Sequence, residues 1–235
     1  MYTNELLWFA MLVVNFSCIL LFYRFFGRVG LYLWIPISAI VANLQVIKLV
    51  TLFGVEATLG NIVYASSFLV TDILSENYGK KDARKAVLIG FCSLISMVVL
   101  MQMALVFIPS ENDFVQESLE QIFGLMPRLM VASFCAYFLS QFHDVWMYHL
   151  LKKQAAEGRG LWLRNTVSTS ISQAIDSSVF TVIAFWGVFE SSLLWEIFLT
   201  TYFLKFVVAV LDTPFIYIAR YLGQTEAVKR LDSLV

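Results

Sequence analysis

Seven stretches of this chain are apolar for 18 residues or more, at about 6–26, 31–53, 60–77, 86–108, 123–151, 166–189 and 194–219. Each is long enough to cross a hydrocarbon core of roughly 30 Å as a helix. Lipid offers backbone N–H and C=O groups no partners, so a crossing segment is a helix or part of a closed barrel. These runs are too long and too continuously apolar for barrel strands. The expectation is an all-α, polytopic membrane helix bundle of about seven transmembrane helices. The whole composition agrees, since 60% of the 235 residues are hydrophobic and only 14% are charged. The first run is kept as a span: MYTNE carries no basic residue and no small-x-small cleavage site follows, so it does not read as a signal peptide.

Lys and Arg set the orientation. Arg24 and Arg28 follow the first run; Lys80, Lys81, Arg84 and Lys85 the third; Lys152, Lys153, Arg159 and Arg164 the fifth; Arg220, Lys229 and Arg230 the last. Thus 13 of the 16 basic residues fall in alternate connections, while GVEATLG, PSENDFVQESLEQ and ESSL are neutral or acidic. The positive-inside rule then puts the N-terminus outside and the C-terminus in the cytoplasm. Connections are short. The outer one from Pro109 to Gln121 is acidic and reads as an amphipathic surface turn, and the tail from Gly223 to Val235 as a short helix or a frayed end.

Cofactor and metal chemistry find little support. Cys18, Cys92 and Cys135 lie in apolar runs without CxxC spacing and read as packing residues. His143 and His149 form no HExxH pattern, so neither a metal centre nor a cofactor is expected. No GxxxxGK[ST] motif is present, so the chain hydrolyses no ATP through a P-loop. Intramembrane proteolysis would need a GxSx serine or a GxGD aspartate, and FLVTD and QAIDS lack those glycines. The chain is therefore not read as an enzyme.

The polar residues inside the spans carry the functional signal. Between Asn165 and Ser178, NTVSTSISQAIDSS holds ten polar residues in fourteen, which a lipid-facing helix would not tolerate. Ser168, Ser170 and Ser177 read as small residues for close helix packing. Gln173 and Asp176 are larger and share a face with Thr169 and Phe180. Asp176 lies twelve residues beyond Arg164, about 18 Å deep. An ionisable group there costs roughly 2.5 to 3.5 kcal/mol or more on insertion unless it meets water, a partner or a ligand.

The fifth run repeats the design: Ser133, Tyr137, Gln141, Asp144 and Tyr148 form one stripe, while His143 points away from Asp144. The third run places Asn61, Phe68, Asp72 and Glu76 on one side, with Glu76 near enough to Lys80 to pair with it. The second adds Asn43. Lys48 and Arg128 lie near outer ends, where long side chains can snorkel. Lys205 is fifteen residues before Arg220, roughly 22 Å from the inner edge, and calls for an anionic neighbour. Asp72, Asp144 and Asp212 each precede a basic residue by eight positions, a weak internal echo of stacked helical hairpins. Such an interior serves a proton or ion path, a solute site or a polar packing core, and the solute or ion site is the favoured reading.

The segments TDILSENYGKKDARKA, RLMVASFCAYFLSQFHDVWMYHLLKK, STSISQAIDSSVFTVIAFWG and TTYFLKFVVAVLDTPFIYI together resemble the queuosine precursor transporter family, also called the vitamin uptake transporter family. The likeness runs from about Ile35 to Leu222. It implies a multi-pass protein of the bacterial inner (plasma) membrane, with six helices resembling the fold of energy-coupling-factor substrate-binding subunits. Residues 1–30 would then be an extra N-terminal helix, 31–222 the transporter core and 223–235 a cytoplasmic tail. It also implies import of queuosine precursors, the deazaguanine bases or queuine, with Asn43, Asp72, Arg128, Gln141, Asp144, Asp176 and Lys205 matching family positions.

A deazaguanine presents a ring N–H and an exocyclic amine that one carboxylate can accept together, and a carbonyl that needs a donor. Asp144 or Asp176 would be the acceptor, and Gln141, Gln173, Asn43 or Lys205 the donors. Phe68, Tyr137 and Phe180 would stack on the ring, and Asp72 completes the expected contacts. The partners expected are the deazaguanine and the lipid bilayer, with no nucleic acid; a homodimer is an open guess. The alternative to a self-sufficient carrier is a solute-binding subunit that depends on a separate ATPase module.

Overall fold

The structure is a computed structural model that describes residues 3–154 and 161–233; for residues 141, 142, 144–154, 161–170, 209, 210 and 213 the description covers the backbone only. The chain is mainly helical, with α1 Thr3–Gln45, β1 Leu49–Leu52, β2 Val55–Thr58, α2 Asn61–Asn77, α3 Lys80–Val106, α4 Gln116–Phe123, α5 Met126–Gln154, α6 Leu161–Phe185, α7 Ser191–Leu211, α8 Thr213–Gly223 and α9 Glu226–Asp232. Among the described residues, four helical stretches are long and apolar enough to cross a membrane: Thr3–Gln45, Lys80–Val106, Gln116–Ser140 and Ser191–Val208. The molecule is a helical membrane bundle. Two compact units divide it, residues 1–126 with 203–235, and residues 127–202.

In the first unit α1 is about 64 Å of helix, twice a hydrocarbon core, and it is broken inside. Gly27 sits at φ 57° and ψ −141°, outside helical geometry and open in practice only to a residue without a β-carbon. The chain folds back there. The rings of Phe22 and Trp34 lie 5.1 Å apart between centroids, where a straight helix would hold the two residues about 18 Å apart. The first half contributes Trp8, Leu12, Phe16, Ile19 and Tyr23 to the same hydrophobic cluster as Leu69, Val70, Ile73 and Leu74 of α2. The stripe Ala83, Ala86, Gly90 and Leu94 of α3 is buried too. Lipid supplies no hydrophobic drive between helices, so these small residues matter because they let backbones approach and gain dispersion contact.

The apolar run at 31–53 does not stay helical to its end. Helix stops at Gln45, and residues 49–58 form an antiparallel hairpin pairing Leu49 with Thr58 and Leu52 with Val55. Its two-residue turn, Phe53-Gly54, has positive φ at both positions, as a type I′ turn requires. The N-terminal turn of α1 holds it: Asn4 Nδ2 donates to the Thr51 carbonyl at 3.0 Å and the Phe53 N–H donates to Glu5 Oε1 at 2.9 Å. The connection between α3 and α5 carries α4. Asp113 Oδ1 accepts the N–H groups of Val115 and Gln116, and Gln102 Nε2 of α3 donates to the Phe123 carbonyl at 2.7 Å.

The run at 194–219 is also interrupted. Helix α7 ends at Leu211 and α8 starts at Thr213, because Pro214 has no N–H to offer the Val210 carbonyl. The tail is a helix, α9, packed on α1 through fully buried Val228. Its Asp232 closes the break in α1: the Arg28 N–H, orphaned at the start of the second half-helix, donates to Asp232 Oδ1 at 2.7 Å. Tyr78 Oη donates to Asp232 Oδ2 at 2.5 Å and lies 3.1 Å from Tyr23 Oη, which also accepts from Asn77 Nδ2 at 2.9 Å. Burial and the bond to Asp232 push the Tyr78 phenol upward from its ordinary pKa, so it remains a donor. Glycine makes room at Gly223, where a β-carbon would come within 2.6 Å of Tyr23 Oη and 2.9 Å of Asn77 Nδ2.

In the second unit Leu129, Ala132, Ala136 and Ser140 form the buried stripe of α5. Its helix α6 runs to Phe185 and is followed by a tight turn through Gly187 into α7.

Candidate functional site

In the first unit, helix α2 carries an aromatic and acidic ladder. Tyr64, Phe68 and Asp72 follow one another at four-residue steps, so they rise along one face. Tyr64 and Phe68 meet edge to face, with centroids 5.4 Å apart. Lys205 of α7 is buried, and its ammonium stands 4.9 Å from the centroid of the Tyr64 ring, a cation–π contact. Asp72 is exposed, whereas Asp212, at the break between α7 and α8, is buried. Asn43 is buried in the second half of α1 and donates to the Ala39 carbonyl at 2.8 Å.

The second unit presents its own polar group. Asp176 is only 5% exposed on α6, beside fully buried Ser177. Gln173, one turn earlier, is half-buried, and its Oε1 has no hydrogen-bond partner among the described residues; the same is true of Thr181 Oγ1. Phe180 is half-buried, edge to face with Phe185 at 6.0 Å. Tyr137 is half-buried on α5. Gln141 and Asp144 lie on α5, but their side chains fall outside the described residues. His143 Nδ1 lies 3.2 Å from Ser172 Oγ.

Two sequence-based assignments change, and one residue is added. Arg128 does not simply reach for the interface: its Nε donates to the Ile183 carbonyl at 2.6 Å and its Nη2 to the Trp186 carbonyl at 2.5 Å, so it caps the end of α6. Glu76 pairs with Arg220 of α8 at 3.6 Å rather than with Lys80; both side chains are half exposed, and the pair contributes little. Tyr64 was missed, although it stands one helical turn before Phe68. Replacing Arg128 by Met should remove two charged hydrogen bonds and cost about 1 to 3 kcal/mol, toward the lower end because the guanidinium is partly exposed. Thermal unfolding in detergent checks this; an unchanged midpoint would deny the cap any role.

These are the features of a chain that holds polar and aromatic groups inside membrane helices. A family profile described as "Putative vitamin uptake transporter" matches residues 58–219. The chain belongs to the vitamin uptake transporter family. Transport, not catalysis, is what that membership implies. Among its relatives is the "Probable queuosine precursor transporter" of Bacillus subtilis (strain 168), 42% identical over 217 residues, covering 92% of this chain and 95% of that protein. The "Queuosine precursor transporter" of Escherichia coli (strain K12) is 30% identical over 167 residues, covering 68% of this chain and 71% of that one. No solved structure matches this transporter. All four segments that carried the resemblance lie within the profile match.

Proposed function

We propose that this transporter imports queuosine precursors, deazaguanine bases or queuine, across the bacterial inner membrane. The similarity to the Bacillus subtilis protein along nearly the whole of both chains carries this reading. The chemistry of the spans supports it. Asp176 or Asp144 would accept the ring N–H and amine of the base; Gln141, Gln173, Asn43 and Lys205 would serve its carbonyl; Phe68, Tyr137 and Phe180 offer faces for stacking, and Asp72 a further carboxylate. Tyr64 joins this set as the partner ring of Phe68 and Lys205. In this reading residues 31–222 form the carrier core, the N-terminus faces outward and the chain works without an ATPase.

Uptake of a labelled deazaguanine by cells that cannot make one should depend on this chain. Purified protein in liposomes should then move the base unaided. Binding without movement would make it a capture subunit for an ATP-driven machine, and neither binding nor movement would end the queuosine reading.

A further inference from the structure

The carboxylate of Asp232 is the single point at which four parts of the first unit are tied. Oδ1 takes the Arg28 N–H where α1 folds back, and Oδ2 takes the Tyr78 hydroxyl at the end of α2. Tyr78 passes the connection to buried Tyr23 in the first half of α1, and Asn77 secures Tyr23 from the other side. Arg28 itself lies over the Tyr78 ring, 5.6 Å from its centroid, and 3.5 Å from Asp82 at the start of α3. Tyr32 Oη also donates to Asp82. The space is reserved for this joint: a β-carbon at Gly27 would overlap Asp232 Oδ1, and one at Gly223 would crowd Tyr23 and Asn77.

Such a joint has a consequence along α2. Tyr78 follows Asp72 by six residues and Tyr64 by fourteen, all on or just beyond one stiff helix. A hydrogen bond that fixes Tyr78 axially therefore fixes the height at which α2 offers its ladder. We propose that Asp232 is a positioning residue for transport, setting through Tyr78 and the Arg28 amide where α2 presents Tyr64, Phe68 and Asp72 to the solute. This rests on the reading that those residues meet the solute.

The test uses the full chain in three variants, Asp232→Ala, Asp232→Asn and Tyr78→Phe, each compared with the parent for affinity per folded molecule and for backbone amide exchange. The probe is the cyano-substituted deazaguanine base. Asp232→Ala should weaken its binding about tenfold and speed exchange at Arg28 and in the last turn of α2. Asp232→Asn keeps an oxygen for the Arg28 N–H and should recover most of the affinity, while Tyr78→Phe should lose part of it. A purely structural tail would lower the yield of folded protein and leave the affinity of the survivors unchanged; affinity within twofold of the parent in Asp232→Ala overturns the proposal. If the parent binds no deazaguanine, the substrate reading fails. Amide exchange then decides the joint separately: unchanged exchange in Asp232→Ala overturns it, and faster exchange confined to Arg28 and the end of α2 supports it.

Discussion

Replacing Asp176 by Ala should reduce deazaguanine uptake by roughly a hundredfold while the protein still folds and inserts. The carboxylate is buried on a helix that has spent ten of fourteen positions on polar residues around it, and an ion at such depth is retained only where something answers its charge. In the proposed function a guanine-like edge with two adjacent donors would answer it bidentately. Hydrogen bonds to a charged group contribute about 1.5 to 3 kcal/mol each, and a net loss of about 3 kcal/mol corresponds to a little over a hundredfold in affinity. Asp176→Asn, which keeps the volume and one acceptor oxygen, should fall between. Labelled uptake at several solute concentrations measures this. Uptake within threefold of the parent in Asp176→Ala would remove this residue from the solute's path.

The largest effect on stability is expected at Gly27. An alanine there would have to take φ 57° with ψ −141°, a conformation that costs a residue with a β-carbon of order 1 to 3 kcal/mol. Its methyl would also evict Asp232 Oδ1 from the Arg28 N–H, forfeiting a charge-assisted bond of about 1.5 to 3 kcal/mol. Together Gly27→Ala should cost about 3 to 5 kcal/mol, read as a lowered unfolding midpoint in detergent. The two contributions are separable by a double-mutant cycle, because Gly27→Ala and Asp232→Ala both break the same bond. The pair should therefore cost clearly less than the sum of the singles. Strict additivity would mean that Asp232 does not cap the second half of α1.

Much of the bundle is legible in the sequence because lipid leaves the backbone one solution, and long apolar runs announce it. What the runs conceal is where a segment stops being helical. Residues 49–53 continue an apolar stretch, yet their β-branched Val50 and Thr51 and the Phe53-Gly54 pair are hairpin signals that length alone outweighed. The interruption at Asp212 was written two residues later in Pro214. Local spacing also found the Phe68 and Asp72 face of α2, and one more step backward would have found Tyr64. The rest depends on distant partners. Nothing near Arg128 indicates that it caps a helix 55 residues on, and nothing near Arg28 points to a carboxylate 204 residues away. Asp232 looked like one more acid in a tail because its partners come from folding, not from periodicity.

The β1–β2 hairpin has a bearing on how the protein folds. A two-stranded ribbon is barely stable alone in water, and this one is fastened by Asn4 and Glu5, residues synthesised some fifty positions earlier. It gains these fasteners only once α1 has folded back at Gly27 and brought its first turn beside residues 51 and 53. A chain in which α1 failed to fold back would leave the ribbon without Asn4 and Glu5, so the register of the hairpin depends on the break at Gly27.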